Sequence, residues 1–101
     1  NIGQTVVVKD LVVLAVEAIE GTDEAIRRGA TLGGEGVVVA KVTKPKQDLR
    51  FDLPAVGVTT ITIMAEVGAS VLAVEAGKTI ILEMEKVVDL ASSSGISIVA
   101  M

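Results

Sequence analysis

Cysteine, histidine, tyrosine and tryptophan are absent from the 101 residues, and Phe51 is the only aromatic. Without cysteine or histidine the chain has no thiol nucleophile, no disulfide, no Cys/His zinc site and no imidazole base. Any acid, base or metal ligand must come from Asp, Glu, Lys or backbone oxygen. The shortage of aromatics excludes base stacking as a binding mode. A net charge of −4 argues against non-specific nucleic-acid binding, which needs a basic face. Proline occurs twice, both times between Lys44 and Gly57. Apolar runs fall short of the roughly 18 to 20 residues of a membrane helix, and no signal-peptide pattern opens the chain. These features, with the lack of cysteine, lead us to expect a soluble cytoplasmic protein. A start at Asn1 followed almost at once by a strand is what a piece of a longer protein would show.

Half of the residues are hydrophobic. At this length they suffice for one α/β domain over residues 1–101, with an aliphatic core. Thr5 to Val8 and Leu11 to Val16 are β-branched runs separated by Lys9-Asp10, the pattern of a tight antiparallel hairpin. Gly21 breaks the second strand. Thr22 then has the chemistry of an N-cap, with Asp23 and Glu24 suited to a helix start that runs to about Thr31. Ala25, Ile26 and Ala30 offer that helix a narrow apolar face, and Gly29 is its weak point.

The run Gly36 to Val42 (GVVVAKV) predicts a central strand buried on both faces. Val58 to Val67 is ambiguous. Its threonines and isoleucines favour strand, yet Ile61, Met64, Ala65 and Gly68 share a helical face, so we assign a helix stopped by Gly68. Val71 to Glu75 and Thr79 to Leu82 predict strands, Glu83 to Ser93 a helix with Met84, Val87, Val88 and Ala91 inward, and Ile96 to Val99 a last strand. The sum is a mixed β-sheet of about six strands, an opening hairpin and about three helices. Ligands of such sheets sit at the carboxyl ends of the parallel strands. The pentapeptide LAVEA occurs twice, at Leu14 to Ala18 and Leu72 to Ala76, which puts Glu17 and Glu75 at strand ends.

Two constellations carry the polar chemistry. In KPKQDLRFDLPAVG, from Lys44 to Gly57, an extended backbone would send Asp48, Arg50 and Asp52 to one side and Leu49, Phe51 and Leu53 to the other. Arg binds phosphate through paired donors, and carboxylates hold a divalent cation that in turn contacts phosphate. Equally consistent is a solvated loop anchored by Phe51, with Arg50 paired to its acidic neighbours. The basic residues concentrate here: positions 41–50 carry a net +3, leaving −7 elsewhere. The second group is Glu17, Glu20, Gly21, Thr22 and Asp23. A Gly-Thr turn at a helix start receives phosphate on its N–H groups, and three nearby acids could bind Mg²⁺ or Mn²⁺. Helix capping accounts for Thr22, Asp23 and Glu24 without any ligand, but leaves Glu17 and Glu20 unexplained. Gly33, Gly34 and Gly36 form neither a dinucleotide nor a Walker motif.

Taken in order, LAVEAIEGTDEAIRR, VVVAKVTKPKQDLRFDLPAVG and AEVGASVLAVEAGKTIILE resemble the carboxy-terminal domain of LpxI-type UDP-2,3-diacylglucosamine pyrophosphatases, through the EGTD and K-x-x-Q-D-x-R-x-D-x-P motifs. The resemblance implies hydrolysis of UDP-2,3-diacylglucosamine to UMP and 2,3-diacylglucosamine 1-phosphate in lipid A synthesis. It also implies Mg²⁺ or Mn²⁺, and a separate amino-terminal domain facing this one across the site, so that the isolated domain should be inactive. By the same resemblance Asp52 is the essential carboxylate, with Asp48 and Arg50 as catalytic neighbours. Lys44, Gln47, Gly21 and Thr22 would contact substrate, and Asp52, Asp23, Glu20 and Glu17 would serve as metal ligands. The lipid-bearing substrate implies contact with the inner membrane surface. Two other readings stand beside this one: a non-catalytic module binding a phosphorylated sugar or lipid, and an assembly domain whose aliphatic strands make a homo-oligomer.

Overall fold

The computed structural model describes residues 5–17, 20–42 and 55–100. The first strand, β1 (Thr5–Lys9), turns back into β2 (Val12–Val16), and α1 (Thr22–Gly33) leads to β3 (Val38–Lys41). After the span 43–54 come β4 (Ala55–Val56), α2 (Val58–Val67), β5 (Val71–Val74), β6 (Ile80–Ile81), α3 (Met84–Ser93) and β7 (Ser97–Ala100). Five strands form a mixed sheet in the order β2-β1-β3-β5-β7, and β4 and β6 pair in a small parallel sheet. The α/β class, the opening hairpin, the three helices and the central place of β3 all agree with the sequence reading. The ambiguous 58–67 segment is a helix, closed by Gly68 in the left-handed conformation. The two-residue strand β4 is too short for periodicity to reveal.

Pairing is antiparallel from β2 to β1 and from β1 to β3, then parallel through β5 and β7. The carboxyl ends of β2, β3, β5 and β7 and the amino end of β1 therefore share one edge. Ala15, Val7, Val39, Leu72 and Ile98 form a rung beneath the helices, where Ile26, Ile61, Met64 and Val87 complete the aliphatic core.

Three local expectations need correction. The hairpin turn is Asp10-Leu11, one residue beyond the expected position, with φ of 51° and 67°. Lys9 stays in the strand because its ammonium donates to the carbonyls of Gly33 and Glu35, each at 2.8 Å. In α3, Met84 is 57% and Val88 49% exposed while Leu90 packs on the core, because the stripe that meets the sheet runs through Val87, Leu90 and Ala91. The central strand β3 is fully buried on one face only: Val39 and Lys41 are buried, whereas Val38 and Ala40 are half-buried.

Gly29 proves to be a close approach, not merely a weak point. A Cβ there would lie 2.5 Å from Val7 Cβ, so α1 rests on β1 at a distance only glycine permits.

Candidate functional site

At the carboxyl-end edge, the rung beyond the core turns polar. Thr5 pairs with Lys41 in register, Glu17 follows β2 and donates its N–H to the Thr5 carbonyl at 2.8 Å, and Thr22 opens α1 directly above. Lys41 is the last residue of β3 and is only 5% exposed. Its Nζ donates to Thr22 Oγ1 at 2.8 Å. Thr22 Oγ1 donates in turn to Glu17 Oε1 at 3.2 Å and accepts from Thr5 Oγ1 at 3.4 Å. A hydroxyl has one donor and two acceptor positions, so that of Thr22 is fully used.

This overturns Thr22 as the cap, while Asp23 and Glu24 do stand in the first turn of α1. The N-cap of α1 is Gly21, with φ 89° and ψ 167°, and no side chain caps the helix. The Gly21 carbonyl accepts the Ala25 N–H at 3.1 Å. Such a backbone conformation is open essentially to glycine alone, and a Cβ at Gly21 would meet nothing within 4 Å. The turn is thus glycine by conformational need, and no described residue fills the space beside it.

Burial drives the Lys41 pKa below its ordinary value near 10.5, while the negative charges of Glu17 and Asp23 pull it part of the way back. A charged amine in such a place persists only with partners, and among the described residues these are one hydroxyl and two nearby carboxylates. Glu20 is engaged elsewhere: Arg28 grips both its oxygens, at 2.8 Å through Nη2 and 3.2 Å through Nε, and also donates to the Val16 carbonyl at 2.8 Å. That fork ties the end of β2 to α1. Among the described residues, no three acids are grouped closely enough to hold a metal ion.

The structure thus brings Glu17, Gly21, Thr22 and Asp23 to one turn and turns Glu20 toward Arg28. Lys44, Gln47, Asp48, Arg50 and Asp52 lie outside the described residues. Their span begins two residues after Lys41 and ends just before β4, so both of its neighbours in the chain are placed. Sequence reasoning missed Lys41 and Thr5. Lys41 entered only as one charge in a basic stretch, although a lysine inside the apolar run VVVAKV is itself a signal, since lysine is almost never fully buried unless paired.

The acyl-sugar nucleotide enzyme "UDP-2,3-diacylglucosamine pyrophosphatase LpxI" of Caulobacter vibrioides is 41% identical to this chain over 105 residues, covering 95% of the chain. The chain spans 37% of that relative's length. Residues 1–99 match the pattern of the LpxI C-terminal domain, and the chain belongs to that family.

Proposed function

We propose that this domain forms one wall of the site at which a longer, two-domain pyrophosphatase cleaves UDP-2,3-diacylglucosamine into UMP and 2,3-diacylglucosamine 1-phosphate. The observation that carries this reading is the Lys41–Thr22–Glu17 cluster. It stands at the carboxyl-end edge of the sheet, where α/β sheets bind ligands, on the strand that leads into the Lys44 to Pro54 motif.

In this scheme the pyrophosphate lies against the open Gly21–Asp23 turn, where first-turn N–H groups lack intrahelical partners and favour an anion. Lys41 acts from beneath as a positioning residue. It pins the start of α1 to the end of β3 and offsets the charge of Glu17 and Asp23, which would otherwise repel phosphate. Asp52, with Asp48 and Arg50, would close the site from the following span, Asp52 orienting the attacking water and Arg50 gripping phosphate through paired donors. Lys44 and Gln47 would add contacts to the substrate.

Glu17 and Asp23 could contribute to a divalent-ion site only together with Asp52 or Asp48, because the described acids do not make one by themselves. Such an ion would supply charge neutralisation on the phosphates.

The test uses the complete two-domain protein and follows UMP release. Asp52→Asn should abolish turnover and leave the fold intact. Lys41→Met should lower kcat/KM by roughly 10²-fold, as removal of one electrostatic contributor does. The 101-residue chain alone should release no UMP. Full turnover by both variants would remove this edge from the mechanism.

A further inference from the structure

The family resemblance gives Thr22 a contact with substrate, but its side chain has none to spare. Thr22 Oγ1 accepts from Lys41 Nζ at 2.8 Å and from Thr5 Oγ1 at 3.4 Å, and donates to Glu17 Oε1 at 3.2 Å. Chemistry fixes the direction of this chain of bonds. An ammonium only donates and an ionised carboxylate only accepts, so the hydroxyl between them turns its proton toward Glu17.

The network has a held end and an open end. Thr5 is fully buried and Lys41 is 5% exposed, whereas Glu17 is half-buried. The main chain of Glu17 is tied to the same corner, through its N–H on the Thr5 carbonyl at 2.8 Å. Of the two carboxylate oxygens, Oε1 is anchored by Thr22, and no described side chain engages Oε2. The open end is thus a single acceptor oxygen, fixed from behind and facing the edge where the Gly21–Asp23 turn lies.

The charges around that oxygen select what it can receive. A carboxylate repels phosphate. A divalent ion needs several oxygen ligands, yet no three described acids are grouped closely enough to hold one, and the Lys41 charge acts on Glu17 from behind. A neutral hydroxyl needs only a strong acceptor, and acidic residues at strand ends hold ribose hydroxyls in dinucleotide-binding sheets by the same chemistry. UDP-2,3-diacylglucosamine, named for the Caulobacter relative, has a ribose and a glucosamine ring on either side of its pyrophosphate, both with free hydroxyls. We propose that Glu17 determines specificity by accepting a hydrogen bond from a sugar hydroxyl of the substrate, and that Thr22 is the positioning residue that aims it. This rests on the reading of the domain as one wall of a pyrophosphatase site.

The test uses the complete two-domain protein, with the substrate and analogues that each lack one free hydroxyl of the ribose or of the glucosamine ring, and follows nucleotide release. In the wild type one analogue should lose roughly 10- to 100-fold in kcat/KM, mainly through KM, as loss of a hydrogen bond to a charged group does. Glu17→Ala should turn over that analogue and the full substrate alike, because the partner of the missing hydroxyl is gone. The ring on which this coupling appears identifies the hydroxyl. Thr22→Val should shrink the same penalty and Thr22→Ser restore it, a rescue that a merely structural helix start would not give. If Thr22→Val fails to fold, Glu17→Ala and Glu17→Gln carry the test from the open end of the network. Equal penalties in wild type and Glu17→Ala for every analogue overturn the proposal. So does a Glu17→Ala protein that loses kcat with KM unchanged, the mark of a water-activating group, or one that needs more Mg²⁺ for half-maximal rate, the mark of a metal ligand. No release by the wild type overturns the pyrophosphatase reading and this inference with it, whereas release without the coupling overturns the inference alone.

Discussion

At the scale of single residues, the chemistry of this domain turns on one hydroxyl. Thr22 has the residue type and place of a helix cap, yet its Oγ1 takes the ammonium of Lys41 and gives its proton to Glu17. A buried charge outbids a backbone N–H that water can serve equally well. Thr22→Val should therefore cost about 1.5 to 3 kcal/mol in denaturant unfolding, the range for a hydrogen bond to a charged group, well above a surface substitution. The sign of the pH dependence follows from Lys41. Its pKa is lowered in the folded state, so the unfolded chain binds more protons in the window between the lowered value and the ordinary one near 10.5. Stability must rise with pH across that window. Lys41→Met removes the contribution, and its unfolding free energy should climb less than that of the wild type as pH approaches 10.5.

At the scale of elements, two backbone details carry expectations opposite to those of propensity. Replacing an interior helix glycine by alanine ordinarily stabilises by about 1 kcal/mol. Gly29→Ala should instead destabilise by about 1 to 3 kcal/mol, because the new methyl would lie 2.5 Å from Val7 Cβ and must push α1 off β1. Thermal unfolding reads the sign directly. In the β1–β2 hairpin, Asp10 and Leu11 both have positive φ, as a type I′ turn requires, and Leu11 is wholly exposed. Leu11→Gly should stabilise by roughly 0.5 to 1 kcal/mol, since glycine accepts that conformation without strain and no packing is lost. A neutral or destabilising result would mean that the strain at Leu11 is smaller than its dihedral angle implies.

At the scale of the molecule, three surfaces divide the work. The helices and one sheet face enclose the aliphatic core, the carboxyl-end edge gathers the polar cluster, and the second sheet face carries uncharged residues such as Val8, Val38 and Val71.

Much of this was legible in the residues themselves. Period-two runs of Val and Ile, glycines at breaks and a 3.6-residue apolar stripe are local signals, so the order and nature of nearly all elements followed from the chain alone. The EGTD turn and the Lys44 to Pro54 motif marked the polar stretches for the same reason, and carried the resemblance to the family. What only the tertiary structure decided concerns residues far apart in sequence. Lys41 and Thr22 meet because α1 crosses from β2 to β3 over β1, and no periodicity encodes a contact 19 positions apart. Gly29 owes its identity to Val7 on another element. The run GVVVAKV has the composition of a strand buried on both faces, but whether anything covers the second face depends on where the crossovers place the helices, and here they all lie on one side. Composition states what a strand can bury against, while topology decides what is there to meet it.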